Sequence, residues 1–141
     1  LKIKQGYLQL DKKCTIRVRS TMMSTGTKNT LTIKGPTSAS GMSRYEYETK
    51  LSKLESSNLF KICHKPIIEK TRYIFIYDNM KWELDEFHGE NQGLLIGEIE
   101  LENEWIQFDI PNFVVKEVTG EIRYYNSMLQ QQPYKNWTDT P

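Results

Sequence analysis

TIRVR, residues 15–19, decides the architecture to expect. Its apolar members, Ile16 and Val18, alternate with its cations, Arg17 and Arg19. A period of two puts the two sets on opposite faces of a β-strand. Outward from this stretch the alternation recurs in LTIK at 31–34, RYEYE at 44–48, EKTR at 69–72, WELD at 82–85 and GEIEL at 97–101. Strands are expected near 3–9, 13–20, 29–34, 43–50, 67–77, 80–87 and 94–102. Gly26 with Asn29, and Gly35, Pro36 and Gly41, break the chain between them, and Gly89–Gly93 is a polar loop. Asp78-Asn79 reads as a hairpin turn. Leu51, Leu54, Leu59 and Phe60 stripe a helix near 51–61, and a second helix fits 123–131. The last ten residues look loosely attached, with Tyr134 and Trp137 as anchors. Turns spaced for hairpins imply an antiparallel α+β domain or a barrel.

The charges fall in same-strand pairs. Arg17/Arg19, Glu46/Glu48, Lys70/Arg72, Glu83/Asp85 and Glu98/Glu100 each flank one residue, and Lys34 shares a face with Thr32. Like charges about 6–7 Å apart on one strand face repel by about 0.6 kcal/mol in water and by about 2–3 kcal/mol at an effective dielectric near 20. An amphipathic sheet with its charged face in water accommodates any one such pair. Five together favour charged faces that converge on a wet interior, where opposite charges, a polyanion and divalent metal offset the repulsion. The apolar faces then point outward and need cover from helices or from a second copy in a homodimer. In such a tunnel Arg17, Arg19, Lys34, Lys70 and Arg72 suit a chain of phosphates. Carboxylates such as Glu98 and Glu100 suit Mg²⁺ or Mn²⁺.

Composition narrows the field. The 141 residues fit one domain, with 38% hydrophobic and 26% charged residues. No apolar run approaches the length of a membrane span, and no secretory signal is visible. With 19 Lys+Arg against 18 Asp+Glu the net charge of +1 offers nothing to nucleic acid or a membrane surface. Cys14 and Cys63 form neither a disulfide framework nor a CxxC pair, which fits a reduced cytoplasmic compartment. Phosphate-binding GxxxxGK[ST] loops, nucleophile-elbow motifs and zinc-ligand spacings are absent from the sequence.

In order along the chain, QGYL (5–8), TIRVR (15–19), LTIKG (31–35), SRYEYE (43–48), EKTRY (69–73), WELDEF (82–87), GLLIGEIEL (93–101) and EVTGEIRYYN (117–126) resemble the CYTH family, or triphosphate tunnel metalloenzymes. The resemblance implies an antiparallel eight-stranded β-barrel, a tunnel with a few flanking helices. It implies that a triphosphate-containing small molecule is bound with Mg²⁺ or Mn²⁺ and hydrolysed, as by an inorganic triphosphatase. Adenylate cyclase or thiamine triphosphatase activity, or a binding module without chemistry, is an alternative within the same frame. By the same resemblance Arg17, Arg19, Lys34, Lys70, Arg72 and Arg123 contact substrate, with Lys70 and Arg72 also catalytic. Glu98 and Glu100 ligate metal, and Glu46, Glu48 and Asp85 are further acidic wall residues that coordinate metal directly or through water. Tyr7 matches a tyrosine that pairs with an N-terminal lysine to activate water, and a barrel-rim aromatic is its other reading. The ExExK strand that opens the family pattern is not found in residues 1–141, and the chain starts at Leu1, so that first strand is expected to lie upstream and to be missing from this chain.

Overall fold

The computed structural model describes residues 1–11, 13–38, 44–103 and 105–138; the Gly41 break and Ser43 lie outside them. Alternation makes strands: β1 (Lys2–Asp11), β2 (Cys14–Met23), β3 (Gly26–Thr37), β4 (Arg44–Lys50), β5 (Ile68–Tyr77), β6 (Met80–Phe87) and β7 (Leu95–Ile99). All pair antiparallel in one sheet of order β4-β3-β2-β1-β5-β6-β7. Among the described residues it has seven strands, and the outer sides of β4 and β7 pair with no strand, so the sheet is not closed. Asp78 and Asn79, at φ 51° and 61°, form the tight β5–β6 turn that the sequence signals.

The apolar face of β1–β3 is covered by helix α1 (Lys53–Ile62). Its start is set by a capping box: Glu55 N–H donates to Ser52 Oγ at 3.1 Å, and Ser52 N–H donates back to Glu55 Oε1 at 2.8 Å. Val18, fully buried, packs with Phe60 and Cys63, and Leu8, Leu31, Leu51, Leu59 and Ile67 close round them. Leu54 departs from the expected stripe: it is 71% exposed, and Ser56 takes the inner position one turn from Phe60. Gly6 is required beneath this helix, since a Cβ there would lie 2.8 Å from Cys63 Sγ and 2.9 Å from Ile67 Cδ1.

A second core sits at the other end of the sheet. Ile68, Phe87 and Leu94 pack with Tyr124 and Leu129, contributed by a 3₁₀ turn (Ile122–Tyr124) and by α2 (Asn126–Gln131). The single helix expected over 123–131 is thus split at Tyr125. Tyr134 and Trp137 pack against this core, which anchors the tail. Behind β5 and β6, Phe113 stacks edge-on against Tyr77 and Trp82, with centroids 5.4 and 5.9 Å away. β7 ends at Ile99 rather than near 102, so Glu100 follows the strand instead of belonging to it.

Candidate functional site

Directly opposed residues of an antiparallel ladder share a face. The register therefore sorts the charged residues without reference to any one contact. Glu46 faces Lys34 and Glu48 faces Thr32; Thr32 faces Arg17. Arg17 faces Tyr7 and Arg19 faces Gln5. Across β5 and β6 Arg72 faces Asp85, Lys70 faces Phe87, and Glu83 faces Glu98. Ile3 opposite Lys70 and Gln5 opposite Ile68 join the two halves in phase. Tyr7, Arg17, Arg19, Lys34, Glu46, Glu48, Lys70, Arg72, Asp85 and Glu98 consequently lie on one face, opposite Val18 and the α1 core.

On β5 and β6 this face is neutralised internally. Lys70 Nζ lies 2.8 Å from Asp85 Oδ2, with both side chains almost fully buried. Arg72 Nε and Nη2 donate to the two Asp85 oxygens at 2.7 and 2.8 Å, and Nη1 reaches Glu83 Oε2 at 2.9 Å. Lys70 also donates to Asn126 Oδ1 at 3.1 Å, which ties α2 to the face. Burial pulls the Lys70 ammonium from its ordinary 10.5 to about 8, against the opposing pull of Asp85. Burial pushes the Asp85 carboxyl up, but hydrogen bonds and charge from Arg72 and Lys70 outweigh it and leave its pKa below the ordinary value. The hydrogen bond from Arg72 to Asp85 raises the guanidinium's own pKa. The pair thus favours the carboxylate, which receives three bonds, more than the ammonium.

On β1–β3 the cations rest on neutral oxygens. Arg19 Nε and Nη2 donate to Gln5 Oε1 at 3.1 and 2.9 Å. Gln5 Nε2 donates in turn to Tyr7 Oη at 3.0 Å. Arg17 Nη2 donates to Thr32 Oγ1 at 3.4 Å, and that hydroxyl donates to Glu48 Oε1 at 3.1 Å. Arg17 Nε is buried with no hydrogen-bond partner. Among the described residues Arg17, Arg19 and Lys34 form no ion pair with a carboxylate. Burial, then repulsion from Arg17 and Arg72, lowers Arg19 to about 10. Burial and Arg17 lower Lys34 as well. Burial raises the Tyr7 phenol, which is therefore neutral. Such under-neutralised donors fit an oxyanion.

The remaining candidates sit at the margins. Glu46 and Glu48 are exposed on edge strand β4, Glu98 is exposed on edge strand β7, and Glu100 is exposed beyond its end. Arg123 stands on the Ile122–Tyr124 turn, its guanidinium 4.4 Å from the Trp137 ring centroid. Among the described residues no three His, Cys, Asp or Glu side chains gather into a metal-binding group. Gln5, Asn126 and Glu83 escape the sequence-based set although they touch its members. The phase shared by Gln5 and Tyr7 within QGYL is a usable signal for the first; Asn126 has none, because its contact spans 56 residues of chain.

Known proteins resemble this chain over most of its length. A family model described as the CYTH domain matches residues 2–128. An inorganic triphosphatase of Acetivibrio thermocellus is 44% identical over 137 residues, which is 96% of this chain and 84% of the relative. An inorganic triphosphatase of Nitrosomonas europaea is 32% identical over 130 residues, covering 90% of this chain and 82% of the relative. A crystal structure of an inorganic triphosphatase aligns with a TM-score of 0.71 at 28% identity, over 92% of this chain and 81% of that one.

Proposed function

Because this chain belongs to the CYTH domain family, we propose that it is an inorganic triphosphatase that works on the charged face of its sheet. It is a hydrolase of phosphoanhydride bonds, with inorganic triphosphate as substrate. The observation that carries this assignment is the convergence of Arg17, Arg19 and Lys34 on one face with no carboxylate in ion-pair contact among the described residues, and with Arg17 Nε left as a buried, unused donor. A linear chain of phosphates supplies the missing acceptors. The uncovered sides of β4 and β7 are where an eighth strand would close the sheet into a tunnel.

Arg17, Arg19 and Lys34 bind the phosphate oxygens and orient the chain. Lys70 and Arg72, whose charge Asp85 and Glu83 offset, form the adjoining wall of the same face. Burial keeps the Tyr7 phenol protonated, so its hydroxyl is available as a hydrogen-bond donor to phosphate.

The family implies a divalent metal, and the donor chemistry at the β7 edge fits one. Glu98 is exposed and free of ion pairs among the described residues, while Glu83 opposite it is held by Arg72. Glu98, with Glu100 just beyond the strand, would hold Mg²⁺ or Mn²⁺, both of which take carboxylate oxygens. The bound ion would polarise phosphate oxygens and screen their charge.

Cys14 and Cys63 are free thiols, which supports a cytoplasmic location. Exposed Tyr45 and Tyr47, on the face of β4 opposite Glu46 and Glu48, support a homodimer contact. Phosphate release from inorganic triphosphate, ATP and thiamine triphosphate, each with Mg²⁺ or Mn²⁺, tests the assignment. Inorganic triphosphate should be turned over best, and Glu98→Gln should lose most of that turnover while remaining folded. Full turnover in Glu98→Gln would remove its metal role; cyclic AMP formation from ATP in place of phosphate release would overturn the triphosphatase assignment.

A further inference from the structure

Gln5 is fully buried at the centre of the charged face, between a guanidinium and a phenol. An arginine offers only donors, so only the amide oxygen of Gln5 can face Arg19. Its Nε2 must then face Tyr7, and the Tyr7 oxygen must accept. The phenolic hydrogen is thereby turned away from Gln5. A carboxylate at the same place would hold Arg19 equally well but would cancel its charge, as Asp85 does for Lys70 and Arg72.

We propose that Gln5 is a positioning residue for triphosphate binding: a neutral clamp that fixes the Arg19 fork without neutralising it and sets Tyr7 as a hydrogen-bond donor toward bound phosphate. This inference rests on the assignment of the charged face as the triphosphate site. Gln5 itself touches no substrate atom; it acts through Arg19 and Tyr7.

Gln5→Glu and Gln5→Met preserve the length of the side chain, so they separate charge from packing. In Gln5→Glu the carboxylate pairs with Arg19 and accepts from Tyr7, which cancels the cation and reverses the phenol. In Gln5→Met both contacts vanish, and the guanidinium and phenol are freed. The full chain and its variants are compared by thermal unfolding, by titration with inorganic triphosphate alone and by steady-state kinetics, with Arg19→Ala as the reference for the site. Gln5→Glu should weaken triphosphate binding and raise KM by about tenfold or more, the scale of a hydrogen bond to a charged group. It should lower kcat far less and leave unfolding close to that of Gln5→Met. Gln5→Met should fall between wild type and Gln5→Glu, and should add little to the loss in Tyr7→Phe. Wild-type affinity and KM in Gln5→Glu, with Arg19→Ala impaired, would overturn the role of Gln5 and spare the site. Unchanged affinity in Arg19→Ala would overturn the site and the clamp together. If Gln5→Glu fails to fold, equal affinities in Gln5→Met and wild type would overturn the clamp.

Discussion

On β1–β3, Arg17 and Arg19 rest on the neutral oxygens of Thr32 and Gln5, whereas on β5–β6 Lys70 and Arg72 share the carboxylate of Asp85. The strands carry the same doublet of cations, and the same face presents both. What differs is the acceptor across the ladder. A carboxylate opposite the doublet makes a self-sufficient ionic cluster whose energy is spent in the folded state. A hydroxyl or amide leaves positive charge over, and leaves one buried donor, Arg17 Nε, unmatched. The β5–β6 half is built to be stable, and the β1–β3 half is built to be completed by an anion.

Asp85→Asn should separate the halves most sharply. It conserves shape but leaves the buried Lys70 ammonium and the Arg72 fork without their shared anion. Breaking a buried pair in this way costs about 3 kcal/mol or more of unfolding free energy. The loss should depend on pH with a definite sign. Lys70 titrates near 8 in the folded protein against an ordinary 10.5. Between those values the unfolded chain holds a proton that the folded chain has released, so this group makes stability rise with pH. Removing Asp85 removes a group that raises the Lys70 pKa, so the window opens at lower pH. Urea unfolding of Asp85→Asn should therefore show a smaller deficit at pH 9 than at pH 7. A deficit that grows with pH would mean that Lys70 is not the group left stranded.

Arg17→Met should do the opposite. It discards a long hydrogen bond to Thr32 together with an unsatisfied buried N–H, so stability should change by less than about 1 kcal/mol. Binding of inorganic triphosphate, measured by titration calorimetry, should weaken by about tenfold. A variant that unfolds easily yet binds normally would show that Arg17 belongs with the structural half, and the contrast between the halves would fail.

Much of this contrast was open to inspection in the sequence, because a period of two is enough to assign a face. The doublets Arg17/Arg19, Lys70/Arg72 and Glu83/Asp85 are each in phase, and the ladder then aligned the phases across six strand pairs. The Asp78-Asn79 turn was equally legible, since two consecutive residues at positive φ demand such side chains. Neutralisation was not legible. Whether Arg19 meets Gln5 or a glutamate depends on which residue of β1 stands opposite it, and that is a matter of register, set by the turn and the core rather than by either strand alone. Leu54 misled for a related reason: a short helix on a sheet buries a narrow stripe, and Ser56 and Phe60 occupy it. Glu100 was read into a strand that stops one residue before it, where alternation no longer fixes a side.

The smallest effect should come from the rim of the paired half. Glu83 lies 2.9 Å from Arg72 Nη1 but is 31% exposed, and Arg72 keeps its two bonds to Asp85 without it. Pairs open to solvent contribute about 0.2–1 kcal/mol, and this half-buried one, open on the Glu83 side, sits toward the upper end and is screened by salt. Glu83→Gln should therefore lower unfolding free energy by no more than that, and the difference should shrink further in high salt. A loss approaching that of Asp85→Asn would mean that Arg72 is anchored from the rim and not from the buried carboxylate. The cluster would then be a chain of comparable ion pairs, and the self-sufficiency assigned to Asp85 would belong to Glu83 as well.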